Sequence, residues 1–268
     1  MNSTTGPIAI VVAMDAELVH FYQLAPVERE EQDGVWRDRF ATVAGLPVVI
    51  TKCGIGMIAA AAATEHLIDR HRPRAVLNFG CAGAHRRDIM PGDLIIGDRV
   101  VHHSKVHILA TGEEHYTGQG YYVGEEKVEE AEITSDPEWL AAAARATESF
   151  TADDWPVEAG WPGGVPHRSP QVHTGAVASA DIWTQAHERL DLLHSRHQTL
   201  CEDMEAAAIA QIATLHGIPF FTVKDISNNE YYRATDIASD MTDFPFAHAG
   251  NRAAGLLHAT IVCIANQA

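Results

Sequence analysis

Basic residues are scarce in this sequence. Its 268 residues include 19 Lys and Arg against 36 Asp and Glu, which gives a formal net charge of −17. A surface that negative repels phosphate backbones and anionic lipid headgroups. We therefore expect neither nucleic acid nor a membrane surface as a partner.

Long apolar runs are missing as well. The longest run near the start covers residues 8–14, whereas a transmembrane helix needs roughly 20 apolar residues. No basic residue precedes this run and Asp15 ends it, so a secretory signal peptide is not expected. These observations predict a soluble protein of the cytoplasm.

Cysteine is rare and metal-binding motifs are absent. Three of the four cysteines lie inside apolar runs, which is typical of buried free thiols in a reducing compartment. The 16 histidines form no His-Glu-x-x-His motif. Their densest group contains sequence neighbours, which point to opposite faces of a strand, so no metal site is expected. The residues concerned are Cys53, Cys81, Cys201 and Cys263, and His102, His103 and His107.

Short β-branched runs alternate with alanine-rich helical stretches, a pattern that favours an α/β fold with a mostly parallel, doubly covered sheet. No repeat is visible, and we expect a single domain over residues 1–268. The segment 124–138 is expected to be a solvated surface stretch, and 149–170 a long loop. Strands are predicted at 7–13, 35–44, 46–52, 75–79, 93–101, 174–178 and 220–223, with a loop at 80–83. Helices are predicted from Asp15 onward and at 57–71, 206–216 and 247–265.

A glycine-rich turn stands between a predicted strand and helix. Residues 54–59 match the pattern G-x-G-x-x-A of dinucleotide-binding folds. That fingerprint also needs a carboxylate at the end of the next strand, but Asn78 and Gly80 stand there. We therefore interpret the turn as a place where a ligand can come close to the start of the helix, rather than as a dinucleotide site.

Polar clusters follow several predicted strands. Glu17 comes just after the first strand, residues 202–205 precede an alanine-rich helix, and residues 227–229 follow the strand at 220–223. Acidic residues at one helix start need no function, because they complement the helix dipole. Ligands of open α/β sheets bind outside the carboxyl ends of the strands. Three such clusters together predict a site at this edge of the sheet.

The motifs, taken in chain order, resemble the nucleoside phosphorylase and nucleosidase superfamily, most closely its methylthioadenosine/S-adenosylhomocysteine nucleosidase branch. The matching segments are 12–17, 53–56, 78–83, 91–93, 177–181, 203–207 and 219–227. The resemblance implies a three-layer α/β/α fold with a twisted mixed sheet. It also implies a homodimer in which the partner completes the pocket for the 5′ substituent.

The resemblance also assigns roles to the polar residues. Glu17 matches the carboxylate that deprotonates the attacking water, and Glu205 matches the one that holds the ribose hydroxyls. Cleavage of a ribosyl C–N bond passes through an oxocarbenium-like sugar, which an anionic carboxylate stabilises. The implied activity is hydrolysis of the N-glycosidic bond of a 5′-modified purine nucleoside, with no metal or organic cofactor.

Further positions match the family's substrate-binding residues. Trp183 falls where an aromatic ring stacks on the base, and the backbone of Thr184 falls where the base edge is hydrogen-bonded. The remaining expected substrate-binding residues are Met14, Ile55, Cys81, Met204 and Ser227.

Asn228 departs from the nucleosidase pattern. The family has an aspartate after the serine, which donates a proton to N7 of the base. An amide can only donate hydrogen bonds. Asn228 is nevertheless expected to act on the leaving base, and an amide would suit a 6-oxopurine nucleoside of the futalosine or inosine type. Asp225 could supply the acid instead, but it lies inside a predicted strand.

Two other functions remain open at this stage. A purine nucleoside phosphorylase would need a phosphate site, and Asn78 stands where the hexameric phosphorylases carry an arginine, although Arg86 and Arg87 follow closely. A binding protein with lost chemistry would not need both Glu17 and Glu205. We therefore expect water to be the acceptor.

Overall fold

The computed structural model describes residues 6–130, 132–235 and 247–267. The helices are α1 Asp15–Leu24, α2 Met57–His71, α3 Pro137–Thr147, α4 His187–His197, α5 Ala206–Leu215 and α6 Asn251–Ala265. The strands are β1 Ile8–Val12, β2 Arg29–Asp33, β3 Trp36–Val43, β4 Leu46–Lys52, β5 Ala75–Ala84, β6 Leu94–His102, β7 Val106–Ile108, β8 Glu114–Tyr116, β9 Gln119–Val123, β10 Glu126–Glu130, β11 Ile133–Thr134, β12 Val172–Ser179, β13 Thr199–Asp203 and β14 Phe220–Asn228. None of the described helices is long and apolar enough to cross a membrane.

Ten strands form one sheet, in which β14 pairs with both β5 and β6. The pairings of β5, β14, β6, β12 and β13 form a closed circuit, so this part of the sheet is a small barrel. β1, β4, β3 and β2 extend it as an open sheet. The mixed sheet implied by the resemblance is confirmed. The mostly parallel sheet expected from alternation alone is wrong, because β13–β5 and β14–β6 are antiparallel.

Helices cover both faces of the sheet. β1 shows why, since all five of its residues are buried and they alternate between two apolar clusters. Ile8, Ile10 and Val12 contact the cluster that contains residues of α1, α3 and α6. Ala9 and Val11 contact the cluster that contains residues of α2 and α5. Because both faces of β1 are buried, each of its positions is apolar, which explains the continuous apolar run in the sequence.

The hairpin at Gly45 and the helices α1, α2 and α5 lie where the sequence predicts them. The loop predicted at 80–83 is wrong, because those residues continue β5 and pair with β14. The stretch 124–138 contains β10, and Asp136 caps the start of α3, a helix that the sequence analysis missed. Residues 149–170 lack regular structure except a short 3-10 turn at Val157–Ala159.

The fold brings several strand ends together. β1, β5 and β14 run parallel, so their carboxyl ends meet at one edge of the sheet. β13 is antiparallel to β5 and places Glu202 beside Gly83 near the end of that strand. Residues from α1, from the turn before α5 and from the segment after β12 complete this edge, which holds a pocket.

Candidate active site

A pocket that is partly open to solvent, with about 780 Å³ of space between its walls, lies at this edge. All ten residues that the sequence analysis selects line it, although they come from separate parts of the chain. They are Met14, Glu17, Ile55, Cys81, Trp183, Thr184, Met204, Glu205, Ser227 and Asn228. The fold thus brings the whole predicted set to one cavity.

Glu17 stands in the first turn of α1 and is 2% exposed. Its Oε1 accepts a hydrogen bond from the backbone N–H of Cys81 at 2.8 Å, and its Oε2 accepts one from Met14 N–H at 3.1 Å. A side chain at Gly80 would place its Cβ 2.6 Å from Glu17 Oε1, so glycine leaves room for the carboxylate. Burial raises the pKa of Glu17, while these bonds and the charge of Lys224 lower it. A buried carboxylate of raised pKa is suited to accept a proton.

Glu205 precedes α5 and is 8% exposed. Its Oε1 accepts a hydrogen bond from the backbone N–H of Gly56 at 2.8 Å, in the turn before α2. Burial and the nearby charge of Asp203 raise the pKa of Glu205 to about 8. Burial therefore favours the protonated form of Glu205. A positive charge close to this carboxyl would lower its pKa and favour the carboxylate.

Lys224 is a buried cation that the sequence analysis missed. It is 1% exposed, and its Nζ lies 2.6 Å from Asp203 Oδ2 and 2.5 Å from Asn78 Oδ1. Its charge lowers the pKa of both Glu17 and Glu205. The signal in the sequence was a lysine within the largely apolar segment 220–226. A buried ammonium without a partner is costly, so a lysine at this position indicates a polar or acidic partner in the interior.

Asn78 lies behind the pocket wall and does not line it. It is 1% exposed, donates to the carbonyl of Val11 at 3.0 Å, and accepts from the hydroxyl of Thr222 at 2.9 Å as well as from Lys224. Its side chain is therefore committed to the sheet. The position that the phosphorylases use for an arginine serves here to hold a buried lysine.

No arginine or lysine stands among the described residues that line the pocket. Arg86 forms a bidentate pair with Asp88, with a closest contact of 2.6 Å. Arg87 lies 3.3 Å from Asp191 and stacks on the ring of Tyr231. These two arginines are held by partners elsewhere on the surface.

Glu230 lines the pocket and orients two of the predicted residues. Its Oε1 accepts hydrogen bonds from Trp183 Nε1 at 3.0 Å and from Asn228 Nδ2 at 2.8 Å. Asn228 Oδ1 accepts from the hydroxyl of Ser227 at 2.9 Å. Sequence reasoning missed Glu230, because it follows the recognised motif by two residues and shows no pattern of its own.

The backbone N–H of Thr184 is bound within the protein. It donates a hydrogen bond to Oε1 of Glu202 at 2.6 Å. Glu202 is 7% exposed and lines the pocket beside it. The expected role of the Thr184 backbone at the base edge stays a prediction. Asp225 is not a pocket acid, because its Oδ2 accepts from the backbone N–H of Arg252 away from the cavity.

One group within the described ranges could hold a metal ion. Ligand atoms of Asp38, His66 and His71 lie within 4.8 Å of one another. Asp38 Oδ2 hydrogen-bonds the Nε2 atoms of His66 and His71 at 2.9 and 2.7 Å, and its Oδ1 accepts from Thr51 at 2.5 Å. The group lies on β3, β4 and α2, outside the pocket, and its atoms already bind one another.

The chain is similar to known proteins over most of its length. A family model described as the phosphorylase superfamily matches residues 7–262. The chain is 30% identical over 226 residues to the 5′-methylthioadenosine/S-adenosylhomocysteine nucleosidase of Shewanella sp. (strain MR-7), covering 83% of this chain and 84% of that protein. It is 29% identical over 224 residues to the enzyme of the same name from Geobacillus sp. (strain WCH70), covering 82% and 84%.

Solved structures share the fold. The S. pneumoniae 5′-methylthioadenosine/S-adenosylhomocysteine nucleosidase with a transition-state inhibitor superposes with a TM-score of 0.74 at 24% identity, covering 96% of this chain and 99% of that chain. The futalosine hydrolase of Helicobacter pylori strain 26695 superposes with a TM-score of 0.73 at 20% identity, covering 96% and 97%. Both likenesses concern the architecture.

The raised pKa of Glu205 predicts a pH-dependent effect of Glu205→Gln on stability. In the folded protein this carboxyl binds its proton more tightly than in the unfolded chain, so stability is lost as pH rises from about 4.5 to about 8. Glutamine can still accept from Gly56 N–H but has no charge to bury. The melting temperature of the variant relative to the original protein should therefore rise across this range and level off above it.

Thermal melts between pH 5 and pH 9 measure this difference, with the exposed Glu188→Gln as the charge-matched control. A melting difference for Glu205→Gln that stays constant across the range, as the control's should, would contradict the raised pKa.

Proposed function

The chain belongs to the phosphorylase superfamily, within it to the methylthioadenosine/S-adenosylhomocysteine nucleosidases, and from this membership we propose its reaction. It hydrolyses the N-glycosidic bond of a 5′-modified purine nucleoside. The observation that carries the proposal is the pair of buried pocket carboxylates, Glu17 and Glu205, each aligned by a backbone N–H. A binding protein would have no need to bury two such groups in one cavity, because burial of carboxylates is costly.

Glu17 acts as the general base. Its two oxygens are fixed by N–H groups from residues 14 and 81, so the carboxylate is oriented before a substrate arrives. It takes a proton from the water that attacks C1′ of the sugar. Burial raises the pKa of Glu17, which makes it a stronger base than an exposed glutamate.

Glu205 binds the ribose hydroxyls. Its carboxylate accepts hydrogen bonds from these hydroxyls and stabilises the positive charge that develops on the ring. Met204 lines the pocket beside it and contributes apolar contact with the sugar. The pocket's own charges thus respond to the transition state more strongly than to the neutral substrate, which is the condition for catalysis.

Asn228 and Trp183 hold the leaving base. Trp183 is 38% exposed and stacks on the purine from the open side. Asn228 is oriented by Glu230 and donates a hydrogen bond to the base without supplying a proton. Departure of the base therefore depends on the stability of the purine anion, or on a proton from solvent.

Water is the acceptor. A phosphate dianion needs cationic or dense backbone partners, and the charged residues that line the pocket are the carboxylates Glu17, Glu202, Asp203, Glu205 and Glu230. Carboxylates repel a phosphate dianion, and the described lining offers it no lysine or arginine. The expected alternative, a phosphorylase, is therefore disfavoured by the charge of this pocket.

The protein acts as a homodimer in the cytoplasm. Ile55, which is 53% exposed at the mouth of the pocket, and Ile58, which is 84% exposed on α2, leave an apolar surface beside the site. A second copy that covers this surface would complete the pocket for the 5′ substituent. Four free cysteines agree with a reducing compartment. Sedimentation of the purified protein measures the oligomeric state.

The reaction is tested by incubating the protein with 5′-methylthioadenosine, S-adenosylhomocysteine, inosine and futalosine, with and without phosphate. We expect free base together with a sugar that carries a hydroxyl at C1, at a rate indifferent to phosphate. A ribose 1-phosphate product would overturn hydrolysis. Release of no base from any of the four nucleosides would overturn the proposed activity.

The role of Glu17 is tested by Glu17→Gln. Loss of a general base lowers turnover by about 10²-fold or more, while KM should change little because glutamine keeps the shape of the side chain. Steady-state kinetics on whichever nucleoside is hydrolysed give both constants, with Glu188→Gln as the control that keeps full activity. Turnover near that of the original protein would remove Glu17 from the mechanism.

A further inference from the structure

Glu202 is a pocket carboxylate that the proposed reaction leaves without a role. It occupies the next-to-last position of β13 and lines the pocket with 7% of its surface exposed. Its Oε1 accepts from Thr184 N–H at 2.6 Å, and its Oε2 hydrogen-bonds His85 Nε2 at 3.2 Å. A carboxylate has about four acceptor sites. These two bonds therefore leave acceptor capacity for a ligand.

The surroundings keep Glu202 ionised. Hydrogen bonds from His85 and Thr184 hold the pKa of its carboxyl below the ordinary value, although burial opposes them. His103 lies 4.0 Å away, and burial lowers its pKa to about 4, so it is neutral and adds no countercharge near pH 7. An ionised carboxylate accepts hydrogen bonds and donates none. Glu202 therefore requires a donor on the ligand.

Asn228 and Glu202 lie on the two strands, β14 and β13, that flank β5 in the pocket wall. Gly83 on β5 is the register partner of Glu202 on one side and of Asn228 on the other. Adjacent strands lie about 4.8 Å apart, which separates the two backbones by roughly 9.6 Å. Gly83 has no side chain between them, and a Cβ there would lie 3.4 Å from Asn228 Nδ2. The Glu202 carboxylate and the Asn228 amide therefore lie on either side of Gly83, where no side chain fills the pocket.

The orientation of the Asn228 amide follows from its partners. Glu230 can only accept when ionised, so the NH₂ group faces it at 2.8 Å, and Oδ1 accepts from the hydroxyl of Ser227 at 2.9 Å. The second N–H of the amide remains for a ligand. The wall therefore presents an acceptor at Glu202 and a donor at Asn228.

We propose that Glu202 selects a 6-oxopurine base, a proposal that rests on the proposed nucleosidase function. The N1–H of such a base donates to Glu202, while Asn228 donates to O6, which is on the carbon next to N1, or to N7 of the adjoining ring. An adenine base has a lone pair at N1, which the carboxylate repels. The N–H of Thr184, which could have served that lone pair, is bound to Glu202. A site rejects such an analogue when binding it would leave buried polar groups of the site without hydrogen-bond partners.

The test compares Glu202→Gln with the original protein on inosine-type and adenosine-type nucleosides. Glutamine keeps an oxygen for Thr184 N–H and places an NH₂ group where the second oxygen stood, so it can meet the N1 lone pair of adenine. We expect the ratio of kcat/KM for inosine-type over adenosine-type substrates to fall at least tenfold. The exposed Glu188→Gln should leave the ratio unchanged. An unchanged ratio in Glu202→Gln would overturn the proposal.

A second measurement needs neither the variant nor catalysis. Calorimetric binding of hypoxanthine, 1-methylhypoxanthine and adenine to the original protein asks whether N1–H is recognised. We expect hypoxanthine to bind at least tenfold more tightly than either of the others. Tight binding of adenine, or equal binding of the 1-methyl base, would overturn the role of Glu202. If hypoxanthine is selected but no nucleoside is cleaved, the base preference stands and the proposed hydrolysis fails.

Discussion

One buried ammonium group holds the charged interior of this protein together. Lys224, in the middle of β14, lies against Asp203 and Asn78, and its charge lowers the pKa of Glu17 and Glu205. Without it, three carboxylates would share a desolvated space with no countercharge, which is costly. The lysine therefore sets both the stability of the site and the protonation of the two groups that would perform the chemistry.

The barrel makes this arrangement possible. β14 pairs with β5 on one side and β6 on the other, so Lys224 is enclosed by strands and helices and cannot reach water. Asp203 comes from β13, and its carboxylate also accepts from the N–H of Ala206 at the start of α5. One side chain thus fixes the lysine and the helix that carries Glu205. The position of Glu205 is therefore a consequence of how the sheet closes.

Much of the fold and of the pocket lining could be predicted from the sequence. Apolar runs and alanine-rich stretches predict β1, α2 and α5 well, because each is decided by local burial. The small residues 80–83 suggest a loop, yet they are strand, because pairing with β14 is a long-range contact that composition does not encode. The ten expected pocket residues meet in one cavity, whereas their chemical roles stay predictions.

The charge relations inside the pocket could not be predicted in the same way. Lys224, Glu202 and Glu230 match no motif, and what each does depends on partners that include residues as far as 146 positions away in the chain. Thr184 shows the consequence, since the sequence places its backbone near the base but does not show that its N–H donates to Glu202. A motif predicts which residues lie near the pocket. Which of their atoms hydrogen-bond one another is decided by the folded structure.

The control of Glu17 by Lys224 is tested most directly by the pH dependence of kcat/KM in Lys224→Gln. Glutamine can still donate to Asp203 and Asn78 but carries no charge. Removal of this opposite charge raises the pKa of the Glu17 carboxyl, so the acidic limb of the profile should move to higher pH. The exposed Lys127→Gln should not move it. A folded, active Lys224→Gln whose acidic limb is unchanged would contradict this account.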